Sequence, residues 1–126
     1  MRRSPRSDDT QQLGAAAEHA AELWLQTQGL STIARNWRCK LGEIDRIMWD
    51  CNTVVFVEVR SRSRSDFGGA GGSITFAKQR RLQKAAELFL VQHPPLQRHP
   101  CRFDVMLGSG TQPAQWQWIR NALNNF

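Results

Sequence analysis

The chain has 126 residues, enough for one domain with one hydrophobic core and too few for two. Its 17 Lys+Arg against 11 Asp+Glu leave a net charge of +6, which favours a polyanionic partner over an acidic or neutral one. No run approaches the ~20 apolar residues of a membrane span. No apolar segment follows the basic start to make a secretory signal. Three scattered cysteines, Cys39, Cys51 and Cys101, form no zinc or redox pair and suit a reducing cytoplasm.

Taken in chain order, residues 1–9 read as a disordered basic tail ahead of a single domain over 10–126, with Asp8, Asp9 or Thr10 available to cap a helix. Leu13, Ala16, Ala17, Ala20 and Trp24 recur at helical spacing until Gly29 stops the helix. Residues 31–39, 43–49 and 53–60 are β-compatible, the last built on Val54-Val55-Phe56-Val57, and together they predict an antiparallel meander. Residues 61–73 are rich in Ser, Arg and Gly and read as a mobile loop. Thr75 is an apt N-cap for a second helix whose inward stripe is Leu82, Ala85, Ala86, Phe89 and Leu90, ended by His93-Pro94-Pro95. Strands over 101–107 and 115–119 complete the order α-β-β-β-α-β-β, the fourth strand parallel to the third because a helix crosses between them. The predicted fold is α/β, one mixed five-stranded sheet flanked by helices.

Two acidic segments dominate the functional reading: Gly42-Glu43-Ile44-Asp45 and Val57-Glu58-Val59-Arg60. If Cys51 and Asn52 form the hairpin tip, Trp49 pairs with Val54, and the same register places Asp45 opposite Glu58 and Glu43 opposite Arg60. Opposed residues have Cβ atoms ~4.5–5.5 Å apart, close enough for Asp45 and Glu58 to share one cation. Without a cation the two carboxylates repel, and one is expected to hold a proton. Spacing alone serves equally well an ordinary pattern of ion pairs, Glu43 with Arg60 and Asp45 with Arg46 or Lys40.

These two segments, with Ser61-Arg62 after the second, a preceding Gly14-x-x-x-Glu18 and a later Arg102-Phe103-Asp104-Val105, resemble the YraN-type family of small bacterial proteins over roughly residues 13–107. That family is similar to archaeal Holliday-junction resolvases and to the PD-(D/E)xK nuclease superfamily. The resemblance implies a restriction-endonuclease-like core and a Mg²⁺ (or Mn²⁺) dependent endonuclease acting on DNA, branched or structured DNA included. It puts Asp45 and Glu58 in the metal-ligand positions, with Glu18 matching a helical acid that often joins them. The Val59 carbonyl is a further oxygen ligand of the kind such sites use. Arg60 stands where the family pattern has a catalytic lysine. A guanidinium stays protonated and cannot act as a base, yet it can steady a phosphate by paired hydrogen bonds. Because of that replacement, a non-catalytic nucleic-acid-binding module derived from a nuclease is the alternative. Resolvase relatives act as dimers, so the resemblance also carries over a homodimer.

Arg62 and Arg64 on the loop, and Lys78, Arg80 and Arg81 early in the second helix, are the candidate DNA-backbone contacts. Lys78 is also the residue best placed to stand in for the missing lysine, should that helix end face the hairpin. Five tryptophans invite a base-stacking reading, but core packing or an interface accounts for most of them. His19, His93 and His99 have no ligand spacing, and Asp104 reads as a partner for Arg102.

Overall fold

The computed structural model describes residues 5–61, 74–108 and 116–123, with side chains from residue 14 onward except at position 61. The three β-compatible runs become β1 (Ser31–Cys39), β2 (Gly42–Asp50) and β3 (Thr53–Ser61), a meander of antiparallel neighbours. Helix α2 (Phe76–Gln92) and a 3₁₀ turn (Pro94–Arg98) carry the chain to β4 (Cys101–Gly108), which lies parallel to β3. The last strand, β5 (Trp116–Ile119), returns antiparallel to β4, and the sheet order is β1-β2-β3-β4-β5. This is the mixed five-stranded architecture expected of a nuclease-like α/β core.

Each face of the sheet is closed by one helix. Leu82, Ala85, Ala86 and Phe89 of α2 pack on Ile47, Val54, Phe56, Phe103 and Val105. On the opposite face Ala17, Ala21 and Leu25 of α1 (Pro5–Thr27) pack on Met48, Val55, Val57 and Met106. Strand β3 is therefore covered on both sides, and Val54 to Val57 are all fully buried. That explains why its sequence is a continuous apolar run and not an alternating one. Burying each such side chain contributes roughly 1.5–3 kcal/mol.

Helix ends fall where local chemistry puts them. Gly29, at φ 101, takes the left-handed position after α1, and its N–H and that of Leu30 reach back to the carbonyls of Gln26 and Leu25. Those two bonds make a Schellman cap that satisfies otherwise orphaned carbonyls. At the other end α1 begins at Pro5, earlier than periodicity alone suggests, so residues 5–9 are helix and not tail. Proline is tolerated in a first helical turn because its missing N–H would find no partner there anyway. The arginine-rich loop, with Arg62 and Arg64, lies outside the described residues.

Candidate active site

The hairpin tip at Cys51-Asn52, with Cys51 at φ 55, sets the register between β2 and β3 from Asp50↔Thr53 to Arg46↔Val57. Past that pair the ladder gives way to a side-chain contact. The Val59 N–H donates to Asp45 Oδ2 at 2.8 Å, and the Asp45 and Glu58 carboxyls hydrogen-bond to each other. On the β1 side, pairing passes from Arg35↔Arg46 to Trp37↔Ile44 across Asn36, which adopts φ 47. Strict alternation breaks at this point. Ile44 and Ile47 both join the cluster beneath α2, whereas Arg46 turns to the α1 side.

Asp45 and Glu58 are 8% and 4% exposed. Burial, then the charge of Glu58 and the hydrogen bond with it, push Asp45 up to about 9, against the opposing effect of the Val59 N–H. Asp45 thus keeps its proton, as expected of a buried acid set against a like charge. The ion-pair alternative fails in its particulars. Glu43 pairs with Arg38 at 3.2 Å and not with Arg60, and Arg46 is committed to Glu22.

The first turn of α2 completes the site. Thr75 Oγ1 accepts the Lys78 N–H at 3.1 Å, fixing the start of the helix over the hairpin, and Lys78 Nζ lies 2.7 Å from Glu58 Oε2. The helix end does face the acids. Its sequence position predicts Lys78 both as a backbone contact and as a stand-in for the missing lysine; the ion pair to Glu58 emerges only from the docking of α2. Lys78 and Arg81 join Glu18, Asp45, Glu58 and Val59 around a cleft of about 360 Å³. Arg60, half-buried at the end of β3, and Arg80 are not part of that lining.

Glu18 lines the cleft but is spoken for. Its Oε1 accepts Asn36 Nδ2 at 2.8 Å and lies 3.4 Å from Arg46 Nη1. Among the described residues, no three His, Cys, Asp or Glu side chains gather to hold a metal ion. Four acids line the cleft: Glu18 is tied to Asn36 and Arg46 and Glu43 to Arg38, while Asp45 and Glu58 lie together beside the backbone of Val59.

A supporting network went unread in the sequence. Arg46, 5% exposed, donates through Nε to Glu22 Oε1 at 2.7 Å and through Nη1 to Asn36 Oδ1 and to the carbonyl of Asp45 itself at 2.8 Å. Glu22 also takes Arg35 and Thr32. Burial works against the ionised form, yet the hydrogen bonds from Arg35, Thr32 and Arg46 and the Arg46 charge hold Glu22 down at about 2. Glu18 and Glu22 lie one helical turn apart, which was the available signal; their partners on β1 and β2 were not.

Other candidates resolve into structure. Asp104 accepts from Arg102, from Trp118 Nε1 at 2.9 Å and from the Asn121 N–H, as its pairing with Arg102 suggested. Trp24 meets Trp118 edge-on at 5.7 Å, and Trp37 meets Phe89 at 5.4 Å, so these rings serve packing. The three cysteines are free thiols. No described helix is long and apolar enough to cross a membrane.

The chain was also compared with known proteins. The profile of the Uncharacterised protein family UPF0102 matches residues 17–107, a span that includes both acidic segments. The chain is similar to a UPF0102 protein of Pseudomonas putida (strain GB-1), 54% identical over 111 residues that cover 86% of this chain and 90% of that protein. It is likewise similar to those of Pseudomonas savastanoi pv. phaseolicola, 50% identical with 96% and 99% covered, and Nitrosomonas europaea, 50% identical with 88% and 92% covered. Agreement at that level over nearly whole chains places this protein in the UPF0102 (YraN) family.

Proposed function

We propose that this protein is a metal-dependent endonuclease that hydrolyses phosphodiester bonds in DNA, branched or structured DNA included. The observation that carries the reading is the buried Asp45–Glu58 pair, two acids in contact, with the Asp45 proton held far above the usual carboxylate range, in a cleft walled by Lys78 and Arg81. Such a pair is costly to maintain unless a cation takes the place of the proton. Asp45 and Glu58 would hold Mg²⁺ or Mn²⁺, with the Val59 carbonyl as a third oxygen. A set this small suits Mg²⁺, which keeps several waters of its own. When bound, such an ion lowers the pKa of coordinated water and offsets charge on the scissile phosphate.

The remaining work falls to the cations of the chain. Lys78, already beside Glu58, is placed to hold a non-bridging phosphate oxygen, and Arg81 adds charge at the same wall. Arg60 can bind phosphate but not accept a proton, so it takes no part in activating water. Glu18, tied to Asn36 and Arg46, is left outside the ligand set. Arg62, Arg64 and Arg80 supply backbone contacts that set affinity without sequence preference. A homodimer would present two clefts to two strands.

Cleavage of linear, nicked, flapped and four-way DNA with Mg²⁺ or Mn²⁺ tests this. Asp45→Ala and Glu58→Ala should each lower the rate by at least about a hundred-fold while DNA binding persists. An Asp45→Ala protein that cuts as fast as the parent defeats the assignment. Binding that survives chelator, with no nicking of any substrate, selects the non-catalytic module instead, the reading favoured by arginine at position 60.

A further inference from the structure

Phe76 stands apart from the other rings. It is 72% exposed, whereas every other described Phe and Trp is buried or half-buried in the core or its margins. It opens α2, two residues before Lys78, whose amine lies in the cleft. One turn on, the Arg80 guanidinium sits over the Phe76 ring, 6.0 Å from its centroid, and Arg81 follows in the cleft wall. Across the cleft the turn between β1 and β2 offers a second exposed apolar side chain, Leu41, beside exposed Lys40.

Cations fringing an aromatic platform are the composition of a surface that binds unpaired nucleic-acid bases. Stacking on a ring tolerates any base, and the surrounding charges track the backbone. An uninterrupted duplex has no free base face to offer. We infer that Phe76 stacks on an unpaired base and gives the protein a preference for DNA with a gap, flap or branch next to the scissile bond. The inference rests on the nuclease reading for its partner, but not on cleavage. Arg80 sits over the ring, and the exposure of Phe76 leaves ring surface for the base.

The test uses the full chain in EDTA at low salt, so that no cutting intrudes. Affinity is measured by anisotropy for an intact duplex and for a duplex of equal length with a short single-stranded gap containing 2-aminopurine. The parent should bind the gapped DNA more tightly and quench the 2-aminopurine. Phe76→Ala should weaken the gapped complex about five-fold or more and leave the intact duplex unchanged. Phe76→Trp should restore both preference and quenching, and Arg80→Gln should weaken both DNAs alike and reduce the salt dependence. Full preference and quenching retained by Phe76→Ala, with circular dichroism showing the fold intact, overturn the inference and leave the nuclease reading standing. A parent protein that binds neither DNA removes both.

Discussion

Glu22, on the α1 side of the sheet, and Asp45, on the edge of the cleft, are both carboxylates taken out of water, at 1% and 8% exposure. They titrate in opposite directions, Glu22 held at about 2 and Asp45 pushed to about 9. Burial penalises the charged form of both, and the difference lies in what else was buried with them. Glu22 is met by two guanidiniums and a hydroxyl. Asp45 is met by a peptide N–H and by another acid. Asp104, wholly buried, is likewise met by a guanidinium, that of Arg102, and Glu58 by the Lys78 amine. Of the four buried acids described, Asp45 alone has no cationic side chain in an ion pair with it. A buried acid is therefore not itself a mark of function; the proposed function rests on the one left facing its own charge.

The comparison breaks most visibly in stability. Glu22→Ala removes the closest anion from buried Arg46, leaving it only the longer contact with Glu18, and should cost about 3–5 kcal/mol in urea unfolding, as broken buried pairs do. Asp45→Asn replaces a group that is already neutral at pH 7 and keeps an acceptor for the Val59 N–H, so it should cost less than about 1 kcal/mol. Equal losses in the two variants would mean that Asp45, too, belongs to the scaffold.

Next comes pH. Glu22 releases its proton near 4.5 in the unfolded chain and at about 2 in the fold, so its contribution is complete above 4.5 and is lost as pH falls through that window. Asp45 has a folded value of about 9 against 3.8 unfolded, so the fold binds the extra proton between them. Its contribution is full below 3.8 and declines as pH rises toward 9. Urea midpoints from pH 3 to 9.5 should show a declining alkaline limb in the parent and a flatter one in Asp45→Asn. An unchanged limb would remove Asp45 as the proton holder.

The smallest effect sharpens the comparison at the ion itself. Mg²⁺ at ten times its Kd should stabilise the parent by about 1.4 kcal/mol, an increment expected to vanish in Asp45→Asn and Glu58→Gln. A distant surface change such as Val91→Ser should retain it in full. A shift that survives in both acid variants places the ion elsewhere.

Much of this was legible in advance because it is local. The hairpin tip at Cys51-Asn52 carries its register by counting, and the count that paired Trp49 with Val54 also brought Asp45 to Glu58. Thr75 caps α2 through a bond to a neighbour three residues on, and Gly29 ends α1 through its own φ. The count failed at Glu43 and Arg60, because Asn36 in a left-handed conformation disturbs the alternation around Asp45 and the β2–β3 ladder stops at Arg46↔Val57. Glu18, which the family resemblance set beside the ligand positions, does line the cleft, and its partners there, Asn36 and Arg46, come from strands that only the fold brings to it.

By itself, then, the sequence determined the order of elements, the central position of β3 and the meeting of two acids, since periodicity, caps and a two-residue turn act over a few residues of chain. Which cation serves which acid was decided only in three dimensions. Arg46 and Lys78 sit next to acids in sequence or space with similar chemistry, and long flexible side chains choose among them only when packing fixes the strands and helices. The docking of α1 took Arg46 for Glu22, that of α2 took Lys78 for Glu58, and Asp45 was left against Glu58 in the cleft wall.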